Sequence, residues 1–168
     1  MRRMSANVSE QVKQTIGRAL GRVPSGVFIL TVAADPHPLV MMASWVQQAA
    51  FAPPAVSVAI AAGRPAGDAV RQRKTFGLSI VPDADTSLMK RYARGVPPGT
   101  DPFAGVATTR THGGVIVLTD ALAYLECRLL QVCTFGGDHD LFVAEVTDGR
   151  ALRDGQSFAH QRGNGFHY

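Results

Sequence analysis

Three short stretches hold most of the chemistry this chain can offer. In Gly137-Asp138-His139-Asp140 an imidazole stands between two carboxylates. Such a ring titrates near neutrality and can stack on, or hydrogen-bond to, a flat ligand. With Asp138 and Asp140 it also has the elements of a small metal site, and equally those of a plain β-turn. The second stretch is Ala61-Ala62-Gly63-Arg64-Pro65-Ala66-Gly67-Asp68, between an apolar run and a helical one. Small residues there let the backbone approach a phosphate, a helix start supplies N–H donors, and Arg64 adds a charge. An ordinary Gly-Pro turn has the same composition. The third is Met41 to Gln48, closed by Pro53-Pro54. It mixes a hydroxyl and amides with flat apolar surface. A flavin ring needs that combination, with donors at its pyrimidine edge and oil at its dimethylbenzene edge. A core strand anchored by Trp45 reads the same way.

Other engines are absent. The sequence has no GxxxxGK[ST] loop, no GxGxxG opening a helix, no GxSxG, HExxH or CxxC. Ser25, between Pro24 and Gly26, lacks the glycine two positions earlier that a nucleophile elbow needs. Cys127 and Cys133 are six apart, and on a strand that separates them by about 20 Å, too far to bridge. They read as two buried thiols in a reducing compartment, and no metal is expected.

The frame that must position these groups is a single domain over residues 1–168. An apolar fraction of 46% against 18% charged excludes disorder. That apolar fraction, with many Ala, Val and Phe positions, also points to a dimer. The net charge of +4 is scattered and not interleaved with aromatics, so nucleic acid is not an expected partner. Met1-Arg2-Arg3-Met4 leads into no apolar segment, and no membrane span is present in the sequence. The expected location is the cytoplasm. Aromatic residues in Arg162–Tyr168 suggest a terminus docked on the domain or on a second subunit.

Val8, Val12, Ile16 and Ala19-Leu20 recur at helical spacing, with a stop at Gly21. Strands follow at Gly26–Val32, Leu39–Gln47 and Ala55–Ala61, then a short helix from Ala69 to Arg73 and a strand at Phe76–Val81. A helix capped by Asp83 runs to Tyr92, and a loop covers Gly95–Asp101, including Pro98. The last strands are Val115–Leu118, Leu122–Thr134 and Leu141–Thr147. Glu126 and Arg128 fall on one face of the long strand, opposite Leu125, Cys127 and Leu129. His139 belongs to a hairpin turn and is free to face a cleft. Short strands with interspersed helices predict a closed or half-closed antiparallel barrel.

In their order, these stretches resemble the flavin reductase-like, FMN-binding split-barrel family. The matching residues are Gly26 to Thr31, Ala43-Ser44-Trp45, Pro53-Pro54, Phe76, Asp101-Pro102-Phe103, Leu125-Glu126-Cys127, Gly137-Asp138-His139 and Glu145-Val146. Met41–Pro54 and Arg162–Tyr168 look most like the reductase module fused to cyanobacterial diiron flavoproteins. The resemblance implies a mainly β fold with short helices, a six-stranded antiparallel split barrel, and a homodimer binding FMN, or FAD, near its interface. Met42, Ala43, Ser44 and Trp45 would cradle the ring and ribityl chain. Ala61, Ala62, Gly63, Arg64 and Gly67 would take the phosphate, and His139 would be the catalytic position beside the nicotinamide. NADH or NADPH would deliver hydride, and a flavin, iron protein or oxygen would accept the electrons. An electron-transfer protein of the same fold without NAD(P)H activity is the alternative. Departures from the family pattern are Met42 for a threonine, Trp45 for a serine and Ser79 for an asparagine. Pro65, Ala66 and Gly67 replace hydroxyl residues, leaving Arg64, backbone amides and Arg71 to hold phosphate.

Overall fold

The computed structural model describes residues 10–97 and 99–160. Met1–Met4, Val8, Pro98 and Arg162–Tyr168 lie outside the described residues. In chain order the elements are α1 (Glu10–Leu20), β1 (Ser25–Gly26), β2 (Phe28–Val32), β3 (Leu39–Ala43), β4 (Val46–Phe51) and β5 (Pro54–Ala61). Then come α2 (Pro65–Arg73), β6 (Thr75–Ile80), α3 (Ser87–Tyr92), β7 (Thr108–Arg110) and β8 (Ile116–Leu118). The chain continues through β9 (Ala123–Cys133), β10 (His139–Ala151) and β11 (Ala159–His160). No helix among the described residues is long and apolar enough to cross a membrane.

Seven strand segments form one antiparallel sheet in the order β3-β2-β6-β9-β10-β5-β4. Its two edges, β3 and β4, are consecutive in sequence and joined only by Ser44-Trp45. That link closes the sheet into a split barrel. The expected strand over Leu39–Gln47 is therefore one run bent in the middle. Ala43 still pairs with Phe28 of β2, whereas Val46 already pairs with Val58 of β5. Counted as one bent strand, β3 and β4 bring the barrel to the six strands expected.

Alternation along β2 explains why Phe28–Val32 is almost wholly apolar. Leu30 and Val32 enter the barrel core with Val58, Ile60, Phe76, Leu78 and Phe142. Ile29, with Val27, faces the other way into a second cluster with Val81, Leu88, Tyr92 and Leu118. A strand covered on both faces has no position for a polar side chain unless it is paired. Thr31 meets this condition by donating to the Ile116 carbonyl.

Several sequence expectations are corrected. α2 starts at Pro65 rather than Ala69, because proline suits the first helical position, where an N–H has no helical partner anyway. α3 is not capped by Asp83, whose N–H bonds to Gln156. Asp85 instead accepts the Ser87 N–H at 2.9 Å, which holds the Asp85 carboxyl below its ordinary range. Val115–Leu118 lies outside the barrel sheet, as β8 of a hairpin with β7. Ser79 is fully buried there and accepts the Leu118 N–H at 3.0 Å, tying that hairpin to β6.

Glu126 is the largest surprise in the β9 pattern. It shares a face of β9 with Arg128, opposite Gly77 of β6, yet it is buried. A bulge shifts the β9–β10 register between Val146 and Asp148. The extra residue, Thr147, reaches Glu126 Oε1 at 3.3 Å, and the Gly113 N–H donates to Oε2 at 3.0 Å. Of the two thiols, Cys127 is buried and Cys133 only half-buried.

Candidate functional site

The register of the barrel brings the three chemical stretches to one end of the sheet. β10 runs antiparallel to β5 with His139 opposite Ala61. The Ala62 N–H donates to the Asp138 carbonyl at 2.9 Å, fastening the small-residue turn to the hairpin before β10. From the other side, the Ala59 N–H donates to the Trp45 carbonyl at 3.0 Å. The indole of Trp45 then meets the imidazole of His139, with ring centroids 4.8 Å apart and planes at 51°. Ser44-Trp45, Ala61-Ala62 and His139 thus share one corner, although they come from distant parts of the chain.

His139 does not stand free in a turn, as its sequence context implied. It is the first residue of β10, 6% exposed, beneath the Trp45 ring. Its Nδ1 lies 3.0 Å from Oδ1 of Asp138. An ionised carboxylate only accepts, so the ring donates there. That hydrogen bond, and then the charge of the ring, hold the Asp138 carboxyl below its ordinary range. Packing on Trp45 and the carboxylate contact both limit how the ring can turn.

Among the cradle residues, Ala43 and Ser44 are buried and Trp45 is 38% exposed. Met42 points the other way. Its side chain packs with the Ile29–Leu88–Tyr92 cluster, whereas Met41 and Ala43 belong with the barrel core. The structure therefore does not bring the Met42 side chain to the Trp45–His139 corner.

The phosphate stretch is part turn and part helix. Gly63 has φ 78°, a left-handed conformation that strains other residues, and nothing lies within 4 Å of the place its Cβ would take. Ala62, Gly63 and Arg64 are exposed. This is an open, side-chain-poor surface on which an anion can meet backbone and one guanidinium, and in that respect the residues fit a flavin phosphate. The donor set is smaller than the sequence suggested. The Arg64 N–H bonds to Ala61, and those of Gly67 and Asp68 bond back to Arg64. Pro65 has none. Among the described residues, only the Gly63 and Ala66 amides of this turn make no backbone hydrogen bond.

Arg71 is not available in the way its position in the sequence suggested. Its Nη2 is ion-paired with Asp140. Nη1 lies 3.5 Å from Asp68, and Cζ sits 4.7 Å over the Phe142 ring. Asp140 is the site residue whose partner the sequence missed, because a strand carboxylate and a helix guanidinium meet only through the β5–β10 register.

Residues 20–165 match the flavin reductase like domain. The chain is 37% identical over 153 residues to diflavin flavoprotein A 1 of a Synechocystis strain, covering 90% of this chain and 26% of that protein. It spans about a quarter of the length of the curated relatives it matches. Among solved structures, it resembles the NADH:FAD oxidoreductase of Streptomyces globisporus, with a TM-score of 0.81, 24% identity and 95% of each chain covered. It also resembles an FMN-binding protein from Thermus thermophilus, with a TM-score of 0.69 and 25% identity over 90% of this chain and 81% of that one. With its split barrel and a match over nearly its whole length, the chain belongs to the flavin reductase like domain family.

Proposed function

We propose that this domain is an oxidoreductase that binds FMN and receives hydride on it from NADH or NADPH. The observation that carries this reading is the meeting of Ser44-Trp45, Ala61–Gly67 and His139 at one end of the barrel. Ser44 and neighbouring backbone groups hydrogen-bond the ring, and Ala43 and Trp45 provide its apolar wall. Arg64 and the Gly63 and Ala66 amides face the phosphate. The Trp45–His139 pair forms the wall against which the nicotinamide is seated. The bound flavin supplies the redox chemistry, and the protein needs no acid or base for it, because hydride transfer depends on stacking and proximity.

The same reading makes the protein a homodimer. Phe51 is 89% exposed at the end of edge strand β4, and Phe135 is 71% exposed beside the His139 corner. The apolar stripe of α1, Val12, Ile16 and Leu20, is also outward. A second copy covers this surface and lies close to the flavin. Relatives in which such a domain is about a quarter of a longer chain favour a protein electron acceptor. We place this domain in the cytoplasm.

Adding FMN to the purified protein, with the visible spectrum followed, tests the binding. Mixing the complex with NADH or NADPH and an acceptor tests the turnover. A protein that stays colourless refutes flavin binding. A yellow protein that oxidises neither nicotinamide is the electron carrier of the alternative reading.

A further inference from the structure

A cavity at the far end of β2 has no role in the flavin site. The Trp45–His139 corner follows Ala43, which pairs with Phe28 at the start of that strand. About 13 Å along β2, at its other end, a notch of about 220 Å³ opens between the β2–β3 turn and the β7–β8 turn. Gly77 lets the two sides come this close, because a Cβ there would stand 2.7 Å from Thr31 Oγ1 and 3.0 Å from Val115 Cγ1.

Much of the lining is apolar, from Val32, Ala34, Pro38 and Ile116. Of its polar side chains, Thr31 is already committed to the Ile116 carbonyl. Arg110 and Thr75 are not so occupied. Arg110 Nη1 donates to the Gly114 carbonyl at 2.8 Å, and among the described residues no carboxylate pairs with it. The Thr75 hydroxyl makes no hydrogen bond among the described residues. The turn that holds the arginine is fixed in advance. The Thr111 N–H donates to the Val115 carbonyl at 2.9 Å, and the Val115 N–H returns to Thr111 Oγ1 at 3.0 Å. The carboxylate fastened to this turn, that of Glu126, bonds to the Gly113 N–H and is not part of the lining.

We propose that this notch is a second ligand site, separate from the flavin corner, and that it takes a small organic acid with one carboxylate on a compact apolar body. The carboxylate meets the remaining N–H groups of Arg110, whose planar fork suits it, and accepts from the Thr75 hydroxyl. The body covers the apolar lining. The space equals about seven waters at ~30 Å³ each, enough for an acid the size of benzoate and too little for a flavin or a dinucleotide.

Benzoate is the probe, and benzamide is its neutral control. Titrated into isotope-labelled protein with FMN present, benzoate should shift the Gly113, Gly114 and Thr75 amide signals saturably, with a dissociation constant of about 1 mM. Benzamide should bind about fivefold more weakly. Arg110→Met should weaken benzoate by about fivefold and leave benzamide unchanged. Thr75→Val should weaken benzoate about threefold, and it decides the matter if Arg110→Met does not fold. Shifts that do not saturate, or that gather around Trp45 and His139 instead, overturn the proposal. Equal binding of benzoate and benzamide refutes it as well, as do folded variants that bind benzoate like the wild type.

Discussion

Replacing Arg71 by methionine keeps a stem that covers Phe142 and removes the guanidinium. The cost follows from burial. Stripping a fully buried ion pair of one partner costs about 3–5 kcal/mol, and an exposed pair is worth less than about 1 kcal/mol. Here the Asp140 side chain is 12% exposed and that of Arg71 35%, between the two limits. That places the loss at about 2 kcal/mol, and the missing cation–π contact with Phe142 adds about 0.5–1 kcal/mol. At about 2–4 °C per kcal/mol for a chain of this size, the midpoint of thermal unfolding falls by about 5–12 °C. Urea unfolding followed by circular dichroism measures the free energy directly. The double variant Arg71→Met with Asp140→Leu should recover at least about 1 kcal/mol, because it leaves no orphaned carboxylate. A single-variant loss below about 1 kcal/mol, or a double variant no more stable than the single one, refutes the idea that this pair holds α2 against β10.

Arg64→Ala should weaken FMN binding only about three- to fivefold, because an exposed contact is worth about 1 kcal/mol, and should leave riboflavin binding unchanged. Equal losses for both ligands in the titration would place the phosphate elsewhere. Gly77→Ala puts a Cβ 2.7 Å from Thr31 Oγ1 and 3.0 Å from the Ile116 carbonyl. A loss of about 1–3 kcal/mol in urea unfolding is expected from this overpacking, and no loss would mean that β8 can back away. Burial pushes the Cys127 thiol up to about 12. At pH 8 it is therefore protonated, and iodoacetamide should leave it unmodified in the native protein and label it only once urea is added, as peptide mass spectrometry would show. Phe51→Glu places a charge in the proposed interface, and sedimentation should show single chains where the wild type shows pairs.

The strands were legible because their residues carry both shape and solvent preference. Phe28–Val32 is β-branched and apolar because two clusters cover it, and Pro54–Ala61 alternates because one face meets the core. What the sequence hid depends on register between distant segments. The bend at Ser44-Trp45 exists because β3 pairs with β2 and β4 with β5, and no local signal marks that change of partner. Glu126 is buried because the Gly113 turn, which lies outside the sheet, closes over that face of β9 and donates to its carboxylate. His139, read as part of the turn, is instead the first residue of β10, packed against the Trp45 ring that a distant strand link supplies. Pro65 could have been read as the first residue of α2, since proline at that position costs no hydrogen bond.

Under the proposed function, a nicotinamide delivers hydride to flavin bound at the Trp45–His139 corner. Anaerobic stopped-flow mixing of the FMN-loaded protein with NADH or NADPH measures this directly, as loss of the flavin absorbance. Bleaching at a rate that saturates with nicotinamide is expected. In His139→Ala, dithionite should still bleach the flavin normally, while higher nicotinamide concentrations are needed to reach half the maximal rate. Flavin that is bound and bleached by dithionite, but left oxidised by both nicotinamides, would contradict it.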